Sequence, residues 1–197
     1  MCQNNKKIRI LIKQDVDPLN PRTEMDTAAT FAFFHARYVL GDKDHGIRDE
    51  DFSGWDAMEE HIVKMFNPMY ITRVYMYDHS GITISSSPFG CLWDSGRIGF
   101  AWITREQMAA CGFKVKRQTP ALLAKARDLV EAELKHYDQY LRGDVYGYVI
   151  QEQCGECGNW HHTDDSCWGF FGDDIKKNGI YDHVKDLIEA GAEVIHG

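Results

Sequence analysis

Residues 70–104, YITRVYMYDHSGITISSSPFGCLWDSGRIGFAWIT, decide the fold class. Three apolar or aromatic runs, YITRVYMYDH, GITISSSPF and RIGFAWIT, alternate with polar positions and are separated by Gly, Ser, Pro and Asp. Period-two alternation bounded by turn residues reads as β-strand, and short links between successive strands predict an antiparallel meander. A different period follows at once. Thr119 stands where a helix cap is wanted and Pro120 at the first helical position. Leu122, Leu123, Ala126, Leu129, Val130, Leu134, Tyr137 and Leu141 then recur on one face until Gly143. A helix of about six turns can lie across a four- or five-stranded sheet.

Outward from this pair, KIRILIK (7–13) reads as a first strand, and QDVDPLNPRTEMD, with its prolines and Asx residues, as a loop. TAATFAFFHARYVLGD reads as a buried strand, with a short helix as the competing reading. GDKDHGIRDEDFSG reads as a polar, exposed connection. Ser53 is the expected cap of a short helix carrying Trp55, Met58, Ile62, Met65 and Phe66, which Asn67-Pro68 ends. VYGYVIQEQ and SCWGFFG are further strands, and a last helix runs from about Ile180 to Ala190. Strands and helices in blocks, without βαβ alternation, predict α+β: one domain over 1–197, with an antiparallel sheet of about five or six strands packed by a long helix and two shorter ones.

The 197 residues are 44% hydrophobic and 26% charged, with a formal net charge of −8. That balance argues against gripping nucleic acid through phosphates, which takes clustered Lys and Arg. The one basic cluster, Lys114-Val115-Lys116-Arg117, is short. No apolar run reaches the roughly 18 residues of a membrane helix, and the run after the basic start at MCQNNKK is too short for a signal peptide. The expectation is a cytoplasmic protein with no membrane and no direct nucleic-acid partner. Six unevenly spaced cysteines do not form a disulfide framework. Cys91 and Cys111 are expected to be reduced and buried.

Two constellations carry chemistry. Asp78, His79 and Ser80 have the residue types of a nucleophilic triad, but consecutive residues on a strand point to opposite faces and cannot converge. Asp78-His79-Ser80-Gly81 fits a strand end entering a turn. Should the ends of these strands share a rim, Asp78, His79, Asp94 and Asp165 would form a polar cluster walled by Trp93 and Trp168. Such a cluster serves either an acid/base site or a hydrogen-bonded network. The second constellation is CGECGNWHH, a Cys/His-rich loop at 154–162. Cys154 and Cys157 have the spacing of a zinc knuckle, with His161 and His162 as further ligands to Zn2+ and Cys167 as another candidate. The competing readings are a redox dithiol, disfavoured among turn residues, and an exposed loop with incidental cysteines. His35 is expected to be packed, and His45 and His196 to lie in exposed segments.

The segments DPLNPRTEMDTAATFAFFHARYVLGDKD, YMYDHSGITISSSPFGCLWDSGRIGFAWIT, YDQYLRGDVYGYVI and DSCWGFFGDD together resemble a family of proteins encoded by bacteriophages and plasmids. The resemblance runs from the first strand to about Asp174 and carries no catalytic residue across. It implies an accessory role on a mobile element: binding a host or phage protein complex, for example as an inhibitor of restriction or CRISPR defence. The alternative is a small hydrolase or nucleotide-processing enzyme using the His79 cluster. Two departures stand out. Related chains often lack the Cys-x-x-Cys but keep Asp-Ser-Cys-Trp-Gly-Phe, which assigns Cys167 to the scaffold. Cys91-Leu92-Trp93 stands where Cys-Pro-Trp is expected.

Overall fold

The computed structural model describes residues 7–91 and 93–197. The basic start at residues 1–6 and the Leu92 departure therefore lie outside the described residues. The chain is α+β, and its described residues form eight strands in two sheets of four where one sheet of five or six was expected. It divides into two compact units, residues 20–142 and a discontinuous unit of 1–19 with 143–197. Among the described residues no helix is long and apolar enough to cross a membrane.

The inserted unit holds β2 (Thr30–Phe33), β3 (Tyr70–Asp78), β4 (Ile82–Ser85) and β5 (Ser95–Ile103) in the order β2-β5-β3-β4, all antiparallel. This is not the expected meander, because β5 pairs with β3 on the side away from β4. The link 86–94 is long enough to return past β3, while an α3 side chain takes a backbone donor of β4: Ile84 N–H donates to the Asp138 carboxylate at 2.8 Å. That helix, α3 (Pro120–Leu141), is the long helix expected from the sequence. The Thr119 hydroxyl accepts from Leu122 N–H, Pro120 opens the helix, and Gly143 follows it at φ +68.

The sheet is buried on both faces. On one, α3 brings Leu122, Ala126, Val130, Leu134 and Tyr137 against Phe31, Phe33, Val74, Met76 and Ile103. On the other, α1 (Trp55–Phe66) packs Met58 and Ile62 against Ala32, Phe100 and Trp102. β5 is accordingly buried at six successive positions, Ile98 to Ile103, the continuous apolar signature of a covered strand. Gly99 is the tightest point, since a Cβ there would overlap the carbonyl oxygen of Ala32. Gly54, not Ser53, stands at the α1 cap, with no side chain accepting. Met65, expected on the buried stripe, is 63% exposed. Thr104 and Gln107 form a capping box for α2 (Arg105–Ala110), which the sequence reading passed over. Cys111, expected to be buried, ends α2 as an exposed residue, and Cys91 is half-buried.

Arg22 locks the loop before β2 into this unit. Its guanidinium, 2% exposed, forks onto Asp42, reaches Glu133 of α3 at 2.8 Å and stacks over the Phe31 ring. Asp42 also accepts from Phe31 N–H, and the Tyr137 hydroxyl accepts from Gly41 N–H.

The discontinuous unit has the order β7-β6-β1-β8, with β1 (Ile8–Gln14) antiparallel to β6 (Val145–Gln153) and β6 to β7 (Trp160–Phe171). β8 (Glu193–His196) runs parallel to β1 and was not anticipated from the sequence. After the single-turn α4 (Ile175–Asn178), helix α5 (Ile180–Glu189) packs Ile180 and Val184 on Ile10, Ile12, Tyr148 and Ile150. Gly147 accommodates the Trp168 ring so closely that a Cβ would collide with it.

Candidate metal centre and the His79 rim

The turn between β6 and β7 is built by its own backbone. Gly158 N–H donates to the Cys154 carbonyl at 3.0 Å, Cys154 N–H donates to the Asn159 carbonyl at 2.8 Å, and Gly158 sits at φ +72, where glycine is favoured. This bend brings the sulfurs of Cys154 and Cys157 and a ring nitrogen of His161 within 4.8 Å of one another. A tetrahedral zinc with Zn–S bonds of about 2.3 Å holds its ligand atoms within about 1 Å of that spacing. Backbone N–H groups of Cys157 and Glu156, with the Cys157 side chain, pull the Cys154 thiol below its ordinary pKa. Donors converging on a sulfur favour thiolate, the form that binds metal. The group could hold a metal ion.

His162 does not join. β7 begins at Trp160, so His161 and His162 project to opposite faces. Arg9 Nε donates to Gln151 Oε1 at 2.7 Å, which turns the Gln151 amide nitrogen toward His162 Nε2 at 3.2 Å. That nitrogen is thereby engaged as an acceptor. Arg9 also lies over the Trp160 ring, 4.3 Å from its centroid. Cys167, further along β7, packs with the cluster under α5 and is not among the grouped ligands. Three of the four anticipated ligands are brought together.

The rim residues follow from strand pairing. Asp78 N–H donates to the Asp94 carbonyl at 2.9 Å, which continues the β3–β5 ladder past Tyr77 and Ser95. His79 and Asp94 are thus neighbours, with Nδ1 to Oδ2 at 3.3 Å. Asp78 faces elsewhere: its carboxylate takes Arg37 at 2.5 Å and the Tyr38 hydroxyl at 3.2 Å. Ser80 sits at φ +60, a turn conformation. His79 is 65% exposed. Trp93, anticipated as a wall, is 96% exposed. Asp165 and Trp168 lie on β7 of the discontinuous unit, so the anticipated cluster is divided between the two units.

A hollow that the sequence reading missed lies in the inserted unit. A cavity of about 690 Å³ is lined by Phe34, His35, Tyr38, His45, Trp55 and Met58, among others. Burial lowers the His45 pKa against the pull of Asp42 and Asp44. The available signal was the aromatic residues flanking GDKDHGIRDEDFSG, outweighed by its polar composition. No family model, curated protein or solved structure matches the chain.

Proposed function

We propose that the chain acts by binding, as an accessory protein of a phage or plasmid that occupies a host or phage macromolecular complex, with inhibition of host defence as the outcome. The observation that carries this reading is Trp93, an aromatic side chain 96% exposed beside the His79–Asp94 pair. Tryptophan is among the residue types enriched at the hot spots of protein interfaces. The net charge of −8 favours a basic partner. The Cys154–Cys157–His161 group takes zinc as a thiolate-rich set, fixing the β6–β7 turn.

The test is affinity capture of the tagged chain from bacteria with active restriction and CRISPR systems, beside Trp93→Ala. A stoichiometric complex held by the parent and lost by the variant, with unchanged circular dichroism, is expected. Capture indifferent to Trp93 sinks the reading. The 3.3 Å His79–Asp94 contact favours a second reading, a hydrolase or nucleotide-processing enzyme in which Asp94 orients the imidazole. His79→Ala abolishing a hydrolytic activity while partner capture persists would select it.

A further inference from the structure

The cavity in the inserted unit is a built feature. Its volume of about 690 Å³ lies within the range of about 300–1,000 Å³ typical of small-molecule sites. Its walls come from the segment 33–58, and that segment is pinned at its centre. Asp42 is gripped by the buried fork of Arg22 and accepts from Phe31 N–H, Gly41 N–H donates to the Tyr137 hydroxyl, and Ala32 bridges Gly41. The hollow is therefore formed before any ligand arrives, which lowers the ordering cost of binding.

Its chemistry is specific. Phe34 and Trp55 stand 6.3 Å apart at an interplanar angle of 53°, and His35 stacks on Tyr38 with centroids 5.0 Å apart. Both histidines have a settled tautomer when neutral. His35 Nδ1 accepts from Arg37 N–H at 3.3 Å, and His45 Nδ1 accepts from Ile47 N–H at 3.1 Å. Each neutral ring must then carry its proton on Nε2 and offer it as a donor from the opposite edge. Asp42 is paired with Arg22, which it shares with Glu133, while Lys43 and Asp49 are exposed lining residues of opposite charge. The lining thus combines aromatic faces with two imidazole Nε2–H donors.

We propose that this cavity binds an uncharged heteroaromatic ring bearing acceptor nitrogens or carbonyl oxygens, of the nucleobase class. The ring is held against the aromatic walls, and its acceptors take the Nε2–H groups of His35 and His45. Neither Trp93 nor the metal centre enters this proposal or its test.

The experiment uses the full chain, with the imidazole Hε1 resonances of His35 and His45 followed by NMR as adenine, cytosine, uracil, adenosine and AMP are added in turn. Saturable shifts at both histidines are expected with at least one free base or nucleoside. AMP is expected to bind no more tightly than adenosine, because no phosphate contact is invoked. Val39, 87% exposed and lining the cavity, gives a variant that spares the core: Val39→Glu should weaken binding at least about tenfold with unchanged thermal melting. His35→Ala should weaken it as well. No saturable shift with any probe up to about 10 mM, a regime weaker than useful recognition, overturns the proposal. Shifts that Val39→Glu leaves unchanged overturn it too.

Discussion

The two units solve the same problem, covering a four-stranded sheet, by different means. The inserted unit covers both faces of its sheet, with α3 on one and α1 on the other, and ties its long loop down with Arg22. The discontinuous unit gathers an apolar cluster of six buried residues under α5, buries Val145 and Val149 of β6 outside that cluster, and ends its β6–β7 hairpin in a Cys-x-x-Cys turn. Where apolar burial is plentiful, a loop can be shaped into a cavity. In the other unit the Cys154–Cys157–His161 group could hold a metal ion, which would add a cross-link to the side-chain packing.

The sharpest way to break this comparison is at Gly99. Gly99→Val would drive a side chain into the Ala32 carbonyl, and a loss above about 4 kcal/mol is expected, seen as loss of cooperative melting. Arg22→Ala should follow. It strands Asp42 and Glu133 without their cation, at a cost of about 3–5 kcal/mol, read from urea midpoints. If Arg22→Ala proves neutral, the loop is not held as described. Zinc should act on the other unit alone. Saturating zinc at about 100 times its dissociation constant should raise stability by about 2.7 kcal/mol, with hydrogen-exchange protection gained in β6 and β7. Cys157→Ser should abolish that gain, and protection appearing equally in β3 and β5 would refute the division.

Thr119→Ala removes the α3 cap and should cost about 1 kcal/mol, measurable by thermal melting. The smallest effect concerns acid. Burial lowers the pKa of His45 and, with Lys135, that of His136. The unfolded chain therefore takes up these protons first. The stability contribution is complete above about pH 6.5 and is lost as pH falls through the depressed folded values. A urea midpoint for the inserted unit that does not fall between pH 7 and 5 would count against it.

Legibility in the sequence followed the range of the interaction. Thr119-Pro120 and Gly143 announced α3 because caps and stops act within a few residues. The strands of 70–104 were legible for the same reason. Their pairing order was not, because whether β5 pairs with β4 or returns to β3 is decided by partners far along the chain, among them Asp138. The four residues of β8 carry too little alternation to be seen and gain their place by lying parallel to β1. The Cys-x-x-Cys spacing was plain, but the choice between His161 and His162 hung on where β7 begins. The cavity was hidden because the polar stretch GDKDHGIRDEDFSG separates its aromatic walls in sequence, and they form a hollow only when Arg22 and Tyr137 fix the loop.

The split of the discontinuous unit between residues 1–19 and 143–197 sets an order of events during synthesis. Gln14 pairs with Tyr146, Asp15 N–H donates to the Val145 carbonyl at 2.8 Å, and Gln14 Nε2 donates to the Gly143 carbonyl at 2.6 Å. The whole of 20–142 lies between these partners. At ribosomal rates of about 5–20 residues per second, β1 emerges on the order of ten seconds before β6 exists. The inserted unit is continuous and can close first, converting a long floppy loop into a folded spacer and lowering the entropy that β1 must lose to find its neighbour. Whatever slows that closure leaves an apolar strand waiting, unpaired, for the rest of its sheet.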